Sequence, residues 1–228
     1  MLVQLLTHTP DPERVVAAAA RLCYSDSSID ALMGREKAEQ EKLLRKILEL
    51  GHYSVLEHVN FTFGVEGISR ACSHQLVRHR LASYSQQSQR YVSHHEPFEA
   101  VTPPSIAGQP ELAARYEALM AELHESYRVF MDAGIPAEDA RFVLPNAATT
   151  KIVITMNARE LKHFFHLRCC RRAQWEIQDM AKKMLTLVRG AAPILFATAG
   201  PGCLEGPCPE GAMTCGAITA VRQEFSGL

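Results

Sequence analysis

The sequence lacks both glycine-rich signatures that would account for nucleotide binding at once. It contains neither a GxxxxGK[ST] phosphate loop nor a GxGxxG fingerprint, so P-loop and Rossmann readings have no motif behind them. No apolar run approaches the ~20 residues that a membrane-spanning helix needs. The opening residues, Met1-Leu2-Val3-Gln4-Leu5-Leu6-Thr7, have no basic lead-in and no signal-like apolar core, so a cytoplasmic protein is expected. Strong net charge is missing too. The formal value is −1, which argues against a partner held by bulk electrostatics, nucleic acid or membrane surface. Aromatics make up 7% and are sparse beside the arginines, so a base-stacking nucleic-acid module is not supported. The seven cysteines include no C-x2-C pair. Their odd number, without an export signal, points to reduced thiols rather than a disulfide framework. No internal repeat is visible.

What is present is a concentrated donor surface between Gln75 and Tyr91. This stretch holds three arginines, a histidine, three serines and four glutamines, inside the longest acid-free run, Gly67 to His95. Arginine offers a planar fork that suits phosphate and stays charged at any working pH. Serine hydroxyls and glutamine amides can complete a phosphate cage or meet a polar ring edge. A second polar and basic region runs from Asn157 to Arg168, and Arg168 to Arg172 is a further basic cluster. Two such surfaces suit a ligand that carries phosphates and a heterocycle. A solvated basic loop is the plainer alternative for the first.

Taken in order, Leu2–Leu6 suits an opening strand, and Asp11-Pro12 a helix start with Asp11 as cap. Cys23–Ser28 reads as a polar loop. Glu36–Leu50 is a helix stopped by Gly51. In Gly51-His52-Tyr53-Ser54-Val55-Leu56-Glu57-His58, Ser54 and Glu57 have capping-box spacing, while His52, Glu57 and His58 are alternative metal ligands. Val59–Val65 alternates like a strand, and Ile68–Val77 suits a helix that delivers Gln75 and Arg78 at its end. Ser93–Pro97 reads as a loop with His94 and His95 exposed. Pro110–Ala133 is a long helix whose Leu112, Tyr116, Leu119, Leu123, Tyr127 and Phe130 stripe suits core or subunit packing. A short helix is expected through Asp139 and Arg141. Thr149–Met156 is β-rich. Asn157 is a good cap for a helix from Glu160 to Cys170, with Arg159, His163 and His166 on one face and Leu161, Phe164 and Phe165 on the other. Cys169 and Cys170 adjoin Arg168 and Arg171, which could lower a thiol pKa, but packing is the simpler reading. Ala173–Arg189 is a final long helix. Beyond Gly200, the Gly/Pro-rich tail holds Cys203, Cys208 and Cys215, which could join a fourth ligand on zinc or remain as surface thiols.

Arg78-His79-Arg80 followed by seven residues and Ser88 resembles the RHRx7S signature of the flavin-dependent thymidylate synthases. Ser83, Tyr84, Arg90 and Tyr91 extend the resemblance. So do Gly51–His58, the Ala140-Arg141-Phe142-Val143-Leu144-Pro145 segment and, as a second signature region, Asn157-Ala158-Arg159, Leu167-Arg168 and Ala173-Gln174-Trp175-Glu176. The resemblance runs from Gly51 to about Trp175. It implies an α+β fold of long helices around a small mixed sheet, with residues 1–199 as the synthase domain and residues 200–228 as a tail. It also implies a homotetramer with active sites at subunit interfaces. The expected reaction converts dUMP to dTMP, with 5,10-methylenetetrahydrofolate as methylene donor, FAD as cofactor and NADPH as reductant. No enzyme nucleophile and no metal are implied.

Roles follow by position. FAD is expected at Ser54, Arg78, His79, Arg80, Gln86, Asn157, Ala158, Arg159 and His163. The nucleotide is expected at Gln75, Leu76, Val77, Arg78, Gln86, Gln87, Ser88, Gln89, Arg90, Arg141 and Arg168, with Ser88 and Arg90 on its phosphate. Arg168 is the expected catalytic residue, stabilising charge at a uracil ring nitrogen. Gln86 stands where some relatives carry glutamate, and His163 where some carry asparagine.

Overall fold

A computed structural model describes residues 1–92 and 97–227. The expected Ser93–Glu96 loop, with His94 and His95, lies outside the described residues. In chain order the strands are β1 (Leu2–His8), β2 (Asn60–Ser69), β3 (Ala82–Gln86) and β4 (Thr149–Asn157). The α-helices are α1 (Pro12–Leu22), α2 (Ile29–Met33), α3 (Lys37–Glu49), α4 (Arg70–Leu76), α5 (Pro104–Ala107), α6 (Pro110–Asp132), α7 (Ala137–Ala140), α8 (Ala158–Arg168), α9 (Trp175–Ala191) and α10 (Ile218–Ser226). Short 3-10 turns lie at Tyr53–His58 and Arg141–Val143. The strands form one four-stranded sheet in the order β1-β2-β4-β3. The α+β expectation holds, but the sheet is antiparallel throughout rather than mixed. Thr9 N–H donates to the Asn60 carbonyl, while Gly67 lies beside Met1 at the other end of the β1–β2 pair. In the β2–β4 pair, Thr62 and Thr155 share a hydroxyl bond of 2.9 Å and Lys151 meets Glu66.

The chain divides into two compact units. The first comprises residues 1–2, 65–78 and 84–153. Its core includes Val65, Ile68, Cys72, Leu76, Phe98, Tyr127 and Ile152. The Ser69 hydroxyl accepts from Cys72 N–H and caps α4, which therefore starts at Arg70, two residues later than the sequence suggests. On α6 the expected stripe buries Tyr127 completely, but Leu112, Leu119 and Phe130 remain 46%, 47% and 40% exposed.

The second unit comprises residues 3–64, 79–83 and the chain from 154 onward. Phe61, Phe63, Phe164, Phe165 and Phe196 are fully buried in it. Phe196 meets Phe61 edge-on at 5.4 Å and Phe165 at 6.1 Å. Such pairings add to the burial of large apolar surfaces. Helix α8 packs against the Tyr53–His58 turn and against α9. Gly51, at φ 72°, ends α3, with the His52 N–H folded back onto the Ile47 carbonyl, the geometry that glycine allows without strain.

Two local expectations are corrected. Asp11 stands at the N-terminus of α1, but in a left-handed conformation at φ 45°, with no capping bond from its side chain. The following proline disfavours the right-handed helical region for Asp11, and aspartate tolerates the left-handed one. The Ser54–Glu57 capping box does not form, because the segment is a 3-10 turn and Glu57 pairs with Arg159 instead. Beyond Gly200 the tail ends in a helix that the Gly/Pro-rich composition concealed, and it is tied down within the second unit. Arg222 donates to the carbonyls of Cys203 and Gly206, and Glu224 pairs with Lys182 and Arg171.

Candidate active site

The predicted residues fall into two groups, one in each unit. In the first unit, Gln75, Leu76, Val77 and Arg78 lie at the C-terminal end of α4, and Gln86 to Arg90 leave β3. Arg78 is exposed and makes no ion pair among the described residues. Leu76 is buried, and its carbonyl accepts the Tyr84 hydroxyl at 2.9 Å. This bond fixes the helix end to the strand that follows. Gln86 is half-buried. Its Nε2 donates to the hydroxyls of Ser73 at 3.0 Å and Thr150 at 3.2 Å. Ser73 in turn donates to the Arg70 carbonyl. The amide at this position is therefore matched to two acceptors, which a glutamate could not serve without turning both hydroxyls. Gln87 is tied by its N–H to the Lys151 carbonyl, and the Ser88 hydroxyl accepts from Arg90 N–H.

Arg90 pairs with Glu138 at 2.6 Å and lies over the Tyr91 ring. Arg141, on the second 3-10 turn, donates to the Glu138 carbonyl. Burial lowers the Arg70 pKa, and the nearby Arg141 cation lowers it further. Arg70, Ser73, Thr150 and Glu138 were not singled out from the sequence, which attaches no motif to them.

In the second unit, α8 carries most of the predicted group. The Asn157 side chain accepts from Glu160 N–H at 2.8 Å and starts the helix at Ala158, as its cap position anticipates. Ala158 is buried, and its N–H donates to the Val59 carbonyl. Leu161, Phe164 and Phe165 face the core, while Arg159, His163 and His166 are exposed on the other side. Arg159 meets Glu57, and Ser54 is exposed on the same 3-10 turn as Glu57. Arg80 is exposed without an ion pair among the described residues.

His79 differs from its neighbours Arg78 and Arg80. It is only 5% exposed, with its ring edge-on to Phe164 at 5.0 Å. Its Nδ1 lies 3.0 Å from Glu160 Oε1, and its Nε2 lies 3.0 Å from Arg168 Nε. Arginine Nε–H can only donate, so Nε2 is the acceptor and Nδ1 carries the hydrogen that goes to Glu160. Burial lowers the His79 pKa below its ordinary 6.5, against the raising effect of the Glu160 bond. The Arg168 cation adds to the lowering. No motif marks Glu160 in the sequence. A carboxylate three residues after Asn157 reads as half of a capping box, yet its side chain turns to His79.

The donor chemistry of the second unit fits FAD, whose pyrophosphate and polar ring edge call for cations and amide donors. Arg80, Arg159, His163 and the NH2 of Asn157 are such groups. No thiol offers itself as a nucleophile here. Cys169 is fully buried, and burial pushes its pKa up to about 12, against the opposing pull of the Lys182 and Arg189 cations. Among the described residues, no group of three or more His, Cys, Asp or Glu side chains is placed to hold a metal ion. Among them, no helix is long and apolar enough to cross a membrane.

Comparison with known proteins decides the family. The sequence model described as thymidylate synthase complementing protein matches residues 4–194. The chain is 59% identical to the flavin-dependent thymidylate synthase of Geobacter sulfurreducens, over 99% of this chain and 98% of that protein. The chain belongs to the flavin-dependent thymidylate synthase family. It is also 44% identical to the enzyme of the same name from Clostridium tetani, over 98% of this chain and 96% of that protein. Among solved structures, the UMP/dUMP methylase PolB from Streptomyces cacaoi, bound with 5-Br dUMP, matches with a TM-score of 0.72 at 24% identity. The match covers 86% of this chain and 93% of that one, and it supports the fold.

Proposed function

We infer that the protein is an FAD-dependent thymidylate synthase that converts dUMP to dTMP with 5,10-methylenetetrahydrofolate as methylene donor and NADPH as reductant. The observation that carries this reading is the full-length match to relatives bearing that name, with the RHRx7S signature intact in this chain. When bound, FAD supplies the hydride that completes the methyl group. The protein contributes placement and electrostatics.

Residue roles follow. Ser54, Arg80, Asn157, Ala158, Arg159 and His163 bind the flavin; His79, expected among them, is 5% exposed with its ring nitrogens turned to Glu160 and Arg168, so it supports the site rather than touching the flavin. Arg78 and Gln86 serve both flavin and nucleotide. Gln75, Leu76, Val77, Gln87, Ser88, Gln89, Arg90 and Arg141 bind dUMP, with Ser88 and Arg90 on the phosphate. Arg168 stabilises negative charge on the uracil ring as the base becomes nucleophilic, a cation fixed where charge develops. The exposed apolar residues of α6 are consistent with a homotetramer whose active sites lie at subunit interfaces. The cytoplasm is its expected location.

The test is direct. Purified protein with FAD, dUMP, methylenetetrahydrofolate and NADPH should form dTMP, and Arg168→Ala should slow turnover by about 10²–10³-fold without unfolding. Absence of dTMP from the wild type would overturn the reading. For shared sites, Arg78→Ala and Arg168→Ala chains, each severely impaired alone, should regain activity when subunits are mixed. Zero activity after verified mixing would argue against them.

A further inference from the structure

Glu160 has no place in the ligand-binding set, yet the fold buries it to 5% exposure. Burying such a group is unfavourable unless its partner is fixed and well placed. The partner is His79, itself buried, and the chain of bonds continues to Arg168. On α8, Glu160, Phe164 and Arg168 stand at i, i+4 and i+8, along one side of the helix. Glu160 and Arg168 are two turns apart, about 12 Å along the axis at 1.5 Å per residue, too far for a direct bond. His79 spans that interval. Its ring lies against Phe164, the residue of the middle turn, with one nitrogen reaching toward each end.

We propose that Glu160 is a positioning residue: acting through His79, it fixes the direction of the Arg168 guanidinium at the uracil ring. This rests on the function proposed above for Arg168. A guanidinium is planar, so pinning its Nε–H orients the whole fork. Nε can be pinned only while His79 Nε2 lacks a hydrogen, and Glu160 selects that tautomer by accepting from Nδ1. A neutral acceptor at 160 with its own NH2 group would lose the selection, because an amide can turn either face to Nδ1. Among the described residues, the charged or titratable groups acting on His79 include Glu160, Arg168 and His163, all on α8. Protonation of His79 would set an Nε2–H against the Arg168 Nε–H and break the chain at its centre.

The experiment uses the full-length protein. Glu160→Gln should lower kcat by up to about 10²-fold, as expected for a displaced reacting group, with little change in the dUMP KM. Combined with Arg168→Ala, it should cause no further loss, because its effect passes through Arg168. Independently of activity, nitrogen NMR of ligand-free wild type should show His79 with hydrogen on Nδ1 and an unprotonated Nε2, and Glu160→Gln should show mixed tautomers. Additive losses in the double variant, or a wild-type His79 with hydrogen on Nε2, would overturn the proposal. If Glu160→Gln does not fold, Glu160→Asp, which keeps the charge but shortens the reach, enters the same cycle with the same criterion. If the wild type makes no dTMP, the function fails, and the NMR result still reports on the bond chain.

Discussion

Arg168 and Arg90, assigned to the two ends of the nucleotide, are held in opposite ways. Arg168 is bonded to a buried imidazole that is backed by a buried carboxylate, on a helix whose Phe164 and Phe165 are fully buried. Arg90 leans on Glu138 in open water, the two side chains 54% and 45% exposed. The first arrangement is costly to rearrange and keeps its geometry before any ligand arrives. The second is a weak, exchangeable pair that a phosphate can replace. The difference suits the tasks. A group that stabilises charge during reaction must already be in place. A group that captures a phosphate need only be near and unscreened.

The comparison can be broken from the rigid side first. Phe164→Ala removes the surface on which His79 rests and should cost about 3–5 kcal/mol of stability, read as a large fall in melting temperature. A loss under ~1 kcal/mol would mean that the His79 chain is not held by packing. Next, Arg168→Ala should slow dTMP formation by about 10²–10³-fold while the fold survives, as when one preorganised donor is removed. Third is pH. The folded His79 pKa lies below its ordinary 6.5, so its contribution to stability is complete above 6.5. It is lost as pH falls from there through the lowered folded value. Melts at descending pH should show this loss, and a histidine-to-glutamine change at 79 should flatten it.

The pliant side gives smaller effects. Glu138→Gln should change stability by no more than about 1 kcal/mol, as for other exposed pairs. By releasing Arg90, it should tighten dUMP binding in calorimetry at low salt. Weaker binding would show that Glu138 aims Arg90 rather than occupying it. A last probe is alkylation of the native protein. Exposed Cys23 and Cys215 should be modified, and buried Cys169 should not.

The same contrast governs what could be read in advance. Helices α3, α8 and α9 follow from apolar spacing, because a buried stripe imposes a period on the sequence; α6 shows the same spacing although only Tyr127 of its stripe is fully buried. The Asn157 cap was equally legible. Strand β3 was not: Ala82-Ser83-Tyr84-Ser85-Gln86 is short and polar, and as the end strand of the sheet it needs no continuous apolar face. Helix α10 was masked by the glycines and prolines before it. The signature arginines were found by motif, since irregular segments leave no period to find. Glu160 escaped both routes. It lies on a helix where a carboxylate is unremarkable, and its partner is 81 residues away in sequence.

The most direct test of the central claim is the visible absorption spectrum of the purified protein, taken first alone, then with FAD, then with dUMP. The account predicts a bound-flavin spectrum that shifts when dUMP is added, placing both ligands in one site. A colourless protein that stays indifferent to added FAD would contradict it.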